Sequence, residues 1–306
     1  MKTRGAHLSY RLITGIIYFI ALVSCSVPTT TPMITPCSDP VTASPEAATA
    51  LAVELNEIVQ VGEYKMPIHC LGQGEPTIIL ENGDNFVPWN EDSLKRFKYL
   101  GRVCYYRRAG FLDELPEVRT VRDQAHDLHK LLSIVGEHGP YVLVGVSRAG
   151  LHLLLFTQEY PNEVAGLVFL EGQPPTYYSL LKDRLGQEKP DDPDWVKEFR
   201  NDITAGWDWT LSREKIDILA STDQAMDVTS LGDRPMVVLV AGNEVVGTDE
   251  WKKIFADTWH ESQIALSELS ESSRIEIVPD VSHEFIAFSG AVDKAVEEVY
   301  LAVKQR

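Results

Sequence analysis

The chain reads as an α/β protein: a mainly parallel central sheet flanked by helices, with a helical insertion ahead of its last strands. Three observations predict this. Short continuous apolar runs at 77–80, 141–146, 164–170 and 236–241 have the composition of strands buried on both faces. Longer segments with room for helices separate them, and such alternation implies parallel strands covered on both sides. The 306 residues, 44% of them hydrophobic, are enough for one large α/β domain with a sizeable core.

Taken in order, 58–61 and 64–70 read as a β-hairpin turning at Gly62-Glu63. The cluster Gly72-Gln73-Gly74-Glu75-Pro76 is a turn. The strand 77–81 follows, with Asn82-Gly83-Asp84-Asn85 as the loop at its carboxyl end. The strand 102–106 leads into the loop Arg107-Arg108-Ala109-Gly110-Phe111. Residues 120–135 read as a helix. Thr120 suits the N-cap, Asp123 suits the positive helix end, and Val121, Ala125, Leu128, Leu132 and Val135 share one stripe. After the Gly139-Pro140 breaker come the strand 141–146 and an apolar helix beginning near Ala149. The strand 164–170 then ends at Glu171-Gly172. From about 173 to 232 the alternation breaks, with two proline pairs and three tryptophans (Trp195, Trp207, Trp209). An insertion of that length is expected to serve function or form a small subdomain. The strand 234–241, a helix closing near Leu269, the strand 274–278 and a C-terminal helix with Val292, Val296, Val299 and Val303 on one side complete the domain.

A net charge of −17 argues against a nucleic-acid partner, because phosphate contact needs a basic face. At the N-terminus, Lys2, Arg4 and Arg11 precede an apolar stretch, 12–23, of signal-peptide length. It ends in Leu22-Val23-Ser24-Cys25, which resembles a bacterial lipobox whose cysteine carries lipid. An ordinary cleaved signal or an uncleaved anchor are the other readings. Each places the folded domain outside the cytoplasm. Residues 26–50, rich in Ser, Thr and Pro, read as a flexible tether to a domain at 51–306. An oxidising compartment permits a disulfide, and Cys37 lies in the tether, so Cys70 and Cys104 are the natural pair. No closely spaced Cys and His set suggests a metal.

The stretch Gly145-Val146-Ser147-Arg148-Ala149-Gly150 stands between a buried strand and a helix. A serine on so sharp a turn is held above the sheet edge, beside free N–H groups of the starting helix. Such a turn is usually G-x-S-x-G, and here Ala149 replaces the second glycine. Taken alone, the motif fits a serine that merely caps a helix. Its context differs: Ser147, Glu171 and His283 each stand beyond the carboxyl end of a strand, where parallel sheets place their active groups.

These residues resemble the α/β-hydrolase superfamily, closest to an extracytoplasmic bacterial branch. The matching segments are 70–77 (Cys-Leu-Gly-Gln-Gly-Glu-Pro-Thr), 103–110 (Val-Cys-Tyr-Tyr-Arg-Arg-Ala-Gly), 139–147 and 160–168. The resemblance covers roughly 58 to the C-terminus and is weakest in the insertion. It implies an α/β-hydrolase fold with a helical cap at about 173–232, and neighbouring strands for Cys70 and Cys104. It also implies Ser147 as nucleophile and His283, which follows the final strand, as its base. His126, His129, His138 and His260 read as ordinary surface or core histidines. Most members carry the triad acid after the strand that here ends at Ala241. Val245 occupies that position, with Glu244 and Asp249 nearby. Some members place the acid after the preceding strand, where Glu171 sits, and Glu171 is the first choice. The oxyanion hole is expected from the backbone N–H groups of Arg148 and Asp84, with Asn85 the alternative to Asp84. Arg148 has three readings: pairing with Asp84, meeting an anionic substrate, or facing solvent. Arg107 stands where the family often has aspartate.

The expectation is a lipid-anchored serine hydrolase, without cofactor or metal, acting on a small or medium ester in an aromatic-lined cleft. Its expected partners are that ester and a membrane reached through the lipid. Amide, lactone and carbon–carbon bond hydrolysis share the fold. A binding lipoprotein that has lost turnover is the non-enzymatic alternative.

Overall fold

A computed structural model describes residues 54–84, 87–208, 212–243 and 250–306. The expected signal segment 1–25 with Cys25, the tether 26–50, and the candidates Asn85, Glu244 and Asp249 lie outside the described residues. Among the described residues, no helix is long and apolar enough to cross a membrane.

Eight strands form one sheet in the order β1-β2-β4-β3-β5-β6-β7-β8. They are β1 (Glu54–Val61), β2 (Tyr64–Leu71), β3 (Thr77–Glu81), β4 (Val103–Tyr106), β5 (Tyr141–Val146), β6 (Val164–Leu170), β7 (Met236–Ala241) and β8 (Ser273–Val278). The hairpin β1-β2 is antiparallel, and β2 runs antiparallel to β4; from β4 across to β8 every pair is parallel. The expected doubly covered α/β sheet is therefore present. Cys70 and Cys104 face each other in the β2–β4 register and are joined by a disulfide.

The continuous apolar strands sort their side chains by parity, as the period of two requires. Tyr141 and Leu143 of β5, Leu167 and Phe169 of β6, and Val238 and Val240 of β7 face one core. Val142, Val144, Val146, Val168, Leu170, Val237 and Leu239 face the other. The first core is closed by α2 (Val121–Ile134) and α3 (Ala149–Glu159), and the expected α2 stripe packs there. Thr120 caps α2 through a reciprocal box with Asp123. The second core is closed by α8 (Gly290–Lys304), which buries Val292, Val296 and Val299, and by α1 (Glu91–Phe97). The sequence reading had no helix at α1. It spans only seven residues, and its stability comes from an Asn90–Ser93 capping box and from burial of Leu94 and Phe97.

Between β6 and β7 stand α4 (Tyr177–Leu185), α5 (Asp194–Ala205) and α6 (Ile218–Met226). The first two pack on each other, and α4 also packs on α7 (Glu250–Ser267). Leu181, Leu185, Val196 and Ile203 form their own small core, with Trp207, Trp251 and Phe255 against it. By contrast α6 returns to the sheet, resting on α2 and α3. The last loop runs from β8 through a 3-10 turn, His283–Phe288, into α8.

Candidate functional site

Ser147 follows β5 with φ of +56°, a left-handed backbone that costs a non-glycine residue of order 1–3 kcal/mol. Such a conformation persists where its surroundings over-determine it. The Ser147 N–H donates to the Leu170 carbonyl at 3.1 Å, and the Ser147 carbonyl accepts from Gly150 at 2.8 Å and Gln173 at 2.7 Å. The turn is thus tied into the loop that carries Glu171. Close approach explains the glycines. A Cβ on Gly150 would lie 2.5 Å from the Gln173 backbone nitrogen, and one on Gly145 would lie 2.9 Å from the Ala149 Cβ. Alanine is tolerated at 149 because Gly145 opposite it has no side chain. The second strict glycine requirement falls one residue later, at Gly150.

Glu171 also has a left-handed backbone, with φ of +50°, and its side chain is fully buried. One carboxylate oxygen, Oε1, accepts from the Ala241 N–H at 2.6 Å. The other, Oε2, accepts from the Trp259 indole at 2.8 Å and lies 3.2 Å from His283 Nδ1. The loops bearing these groups are held together by the backbone. Gly242 N–H donates to the Val278 carbonyl and Asn243 N–H to the Val281 carbonyl, at 2.8 and 2.9 Å. The structure therefore brings Glu171 and His283 together. Trp259, on α7, was not anticipated; a tryptophan on a helix carries no signal of a polar partner 88 residues away.

On the other side of Ser147 lies a network of arginines and acids. Arg108 is buried, bonded to Glu81 through Nη1 and to both oxygens of Glu214 at 3.0 and 3.1 Å. It also donates to the Asn82 and Gly83 carbonyls, each at 2.6 Å. Arg148, at the N-cap of α3, bonds Glu214 and lies 3.2 Å from Asp84 Oδ1. Of its three readings, pairing with Asp84 is observed, with Glu214 as an unforeseen second partner. Burial pushes the Glu214 carboxyl up, but Arg108 and then Arg148 pull it further down, so it ends well below the usual carboxylate range. Burial also opposes the charge on Arg108, yet Glu214 and Glu81 hold it firmly protonated. Behind them, burial first and then the Glu81 charge raise the Tyr106 hydroxyl. Burial lowers buried His152, which lies 3.5 Å from Glu81, and Arg108 reinforces the shift against the pull of Glu81. Arg107 stacks over Tyr105 and Phe111 and donates to the Trp89 carbonyl at 3.2 Å.

Two clefts open here. One of about 520 Å³ is lined by Ser147, Arg148, Asp84, Gln173, Tyr178 and Trp207 among others. The other, about 740 Å³, is lined by His283, Trp259, Tyr177, Trp195, Phe255 and Lys252 among others. The other histidines have separate company: His126 and His129 lie by Glu159 and Glu163, and His129 stacks on Tyr160. Among the described residues, the one group spaced like metal ligands is Cys70, Cys104 and Glu137. Its two sulfurs are consumed by the disulfide.

A family model described as alpha/beta hydrolase fold matches residues 71–244, more than half of the chain. The chain belongs to the α/β-hydrolase family. Solved structures with this family's fold resemble it at low identity. An esterase from Thermogutta terrifontis is 18% identical, covering 82% of this chain and 99% of its own, with a TM-score of 0.53. For a putative lipase from Acinetobacter baumannii the figures are 17%, 87%, 99% and 0.55. A haloalkane dehalogenase from Bradyrhizobium elkanii gives 12%, 82%, 98% and 0.55. A curated relative, the probable transporter efuK from Hormonema carpetanum, is 26% identical over 126 residues. That match takes in 37% of this chain and 18% of that protein, so the chain spans less than a fifth of its length. These α/β-hydrolase likenesses establish the fold, and the chemistry rests on the residues at the site.

Proposed function

We propose that the protein is a serine hydrolase that cleaves a carboxylic ester by acyl transfer through Ser147, His283 and Glu171. The observation that carries this reading is the 3.2 Å approach of His283 Nδ1 to a fully buried Glu171 carboxylate. A carboxylate so placed fixes the imidazole with its Nδ1 protonated and stabilises the positive form. That leaves Nε2 to take the Ser147 proton as Oγ attacks the ester carbonyl. The tetrahedral oxyanion is received by the Arg148 and Asp84 N–H groups. His283 then returns the proton to the departing alcohol, and water, activated in the same way, releases the acid and restores Ser147. The two aromatic-walled clefts suit the two sides of a small or medium ester. The described domain is carried outside the cytoplasm, tethered by 26–50 to a lipid on Cys25, with α4 and α5 capping the site.

The test is hydrolysis of short and medium p-nitrophenyl esters by the full-length chain, with fluorophosphonate labelling in parallel. Wild type is expected to turn over and to label, and Ser147→Ala to lose labelling and about 10⁵–10⁶ in kcat. A folded wild type inert to both reagents would sink the reading and favour a binding lipoprotein.

A further inference from the structure

We infer that Arg108 is the positioning residue of the oxyanion hole, orienting the Asp84 N–H by gripping the carbonyls on the far side of its loop. The inference rests on the hydrolase reading above and adds a residue that does not itself touch substrate.

The geometry is that of a two-pronged anchor. Nη1 of Arg108 holds the Asn82 carbonyl and Nη2 the Gly83 carbonyl, each at 2.6 Å. The Gly83 carbonyl and the Asp84 N–H belong to one peptide unit. In a trans unit these two groups point in opposite directions, and the cis bonds of the described chain lie elsewhere, at Pro76 and Pro140. Fixing the carbonyl toward buried Arg108 therefore turns the Asp84 N–H the other way, and Asp84 lines the cleft that contains Ser147. The Asn82 carbonyl does the same for the Gly83 N–H. An arginine suits the task because its planar fork presents two parallel donors, whereas a lysine is a point charge.

The fork is itself immobilised. Glu81, at the end of β3, and Glu214, from the segment before α6, hold its remaining donors. Glu214 also bonds Arg148, whose backbone N–H is the other expected donor to the oxyanion. Gln124 of α2 donates to the same Glu214 oxygen at 2.8 Å, fixing the carboxylate from a third direction. Both halves of the hole are thus referred to one acid, which lies outside the triad.

The experiment compares full-length wild type, Arg108→Lys and the double variant Arg108→Gln/Glu81→Gln on a p-nitrophenyl ester. Affinity for a trifluoromethyl ketone, whose adduct with Ser147 carries the oxyanion, is measured alongside. Arg108→Lys keeps the charge but not the fork. The double variant removes Arg108 together with the buried Glu81 charge it pairs with, while Glu214 keeps Arg148, so no buried charge is left unpaired if the lysine variant fails to fold. The expected result is a kcat loss of about 10²–10³ with KM within about threefold, and a parallel loss of trifluoromethyl ketone affinity. A folded variant with kcat within about threefold of wild type overturns the inference. So does a kcat loss with unchanged ketone affinity, which would leave Arg108 a purely structural part. A wild type that hydrolyses esters while these variants behave normally sinks this inference alone; an inert wild type sinks the hydrolase reading with it.

Discussion

Glu171 and Glu214 are both acids drawn into the site from loops, and they are served by opposite kinds of partner. Glu171 is fully buried and receives only neutral donors, the Ala241 N–H and the Trp259 indole, before it reaches His283. Its negative charge has no permanent counterion among these contacts. On the hydrolase reading proposed above, that charge serves an imidazolium that exists only while a proton is in transit. Glu214 is held between Arg108 and Arg148, and its charge is already neutralised. On that proposal the first arrangement stores electrostatic stabilisation for a transient cation, whereas the second fixes geometry. A carboxylate's role in such a site follows from whether its partners are dipoles or permanent charges.

Exchanging each acid for its amide should separate the two roles. The largest effect is expected from Glu171→Gln, which keeps the shape but cannot support the imidazolium; kcat should fall about 10⁴. If that variant retains activity within tenfold, the acid lies elsewhere, and Glu244 or Asp249 becomes the candidate. Glu214→Gln should invert the pattern. Kinetics should change less than about tenfold, while unfolding free energy, read from denaturant titration, drops by about 1–3 kcal/mol as two arginines lose an ionic partner. Equal kinetic losses in the two variants would erase the distinction.

The pH dependence sharpens the same contrast. Glu214 is held below the usual carboxylate value when folded, so its stabilisation is complete above about pH 4.5 and is lost as pH falls toward its low folded value. The stability gap between wild type and Glu214→Gln should therefore stay level from pH 6 to about pH 4.5 and narrow steadily from there to pH 3. A constant gap would mean that the acid stabilises by shape alone. The smallest effect is expected from Trp259→Phe, which removes one neutral donor from Glu171 but keeps a ring. A loss of about three- to tenfold in kcat with little change in unfolding midpoint would fit one hydrogen bond.

Much of this molecule is legible in its sequence because the signals are local. Buried strands announce themselves as Val-, Ile- and Leu-rich runs, Thr120 and Asp123 mark a helix start, and Gly145 to Gly150 mark a tight turn. The short helix α1 was missed because seven residues hold too little periodicity. The polar network escaped for another reason. Glu81, Arg108, Arg148 and Glu214 lie on four separate segments, and nothing near any of them in the chain names its partner.

By itself, then, the sequence determined the order of the strands and of the helices α2, α3, α7 and α8, the strained serine turn and the positions of Ser147, Glu171 and His283 at strand ends. Each of these follows from backbone preference and hydrophobic period over a few residues. Only the tertiary structure decided that Glu171 meets His283, that Trp259 supplies a donor, and that Arg148 pairs with Glu214 and Asp84. Those pairings depend on which strand ends lie side by side and on how far a side chain reaches across a loop. Such distances are set by the packing of the whole domain.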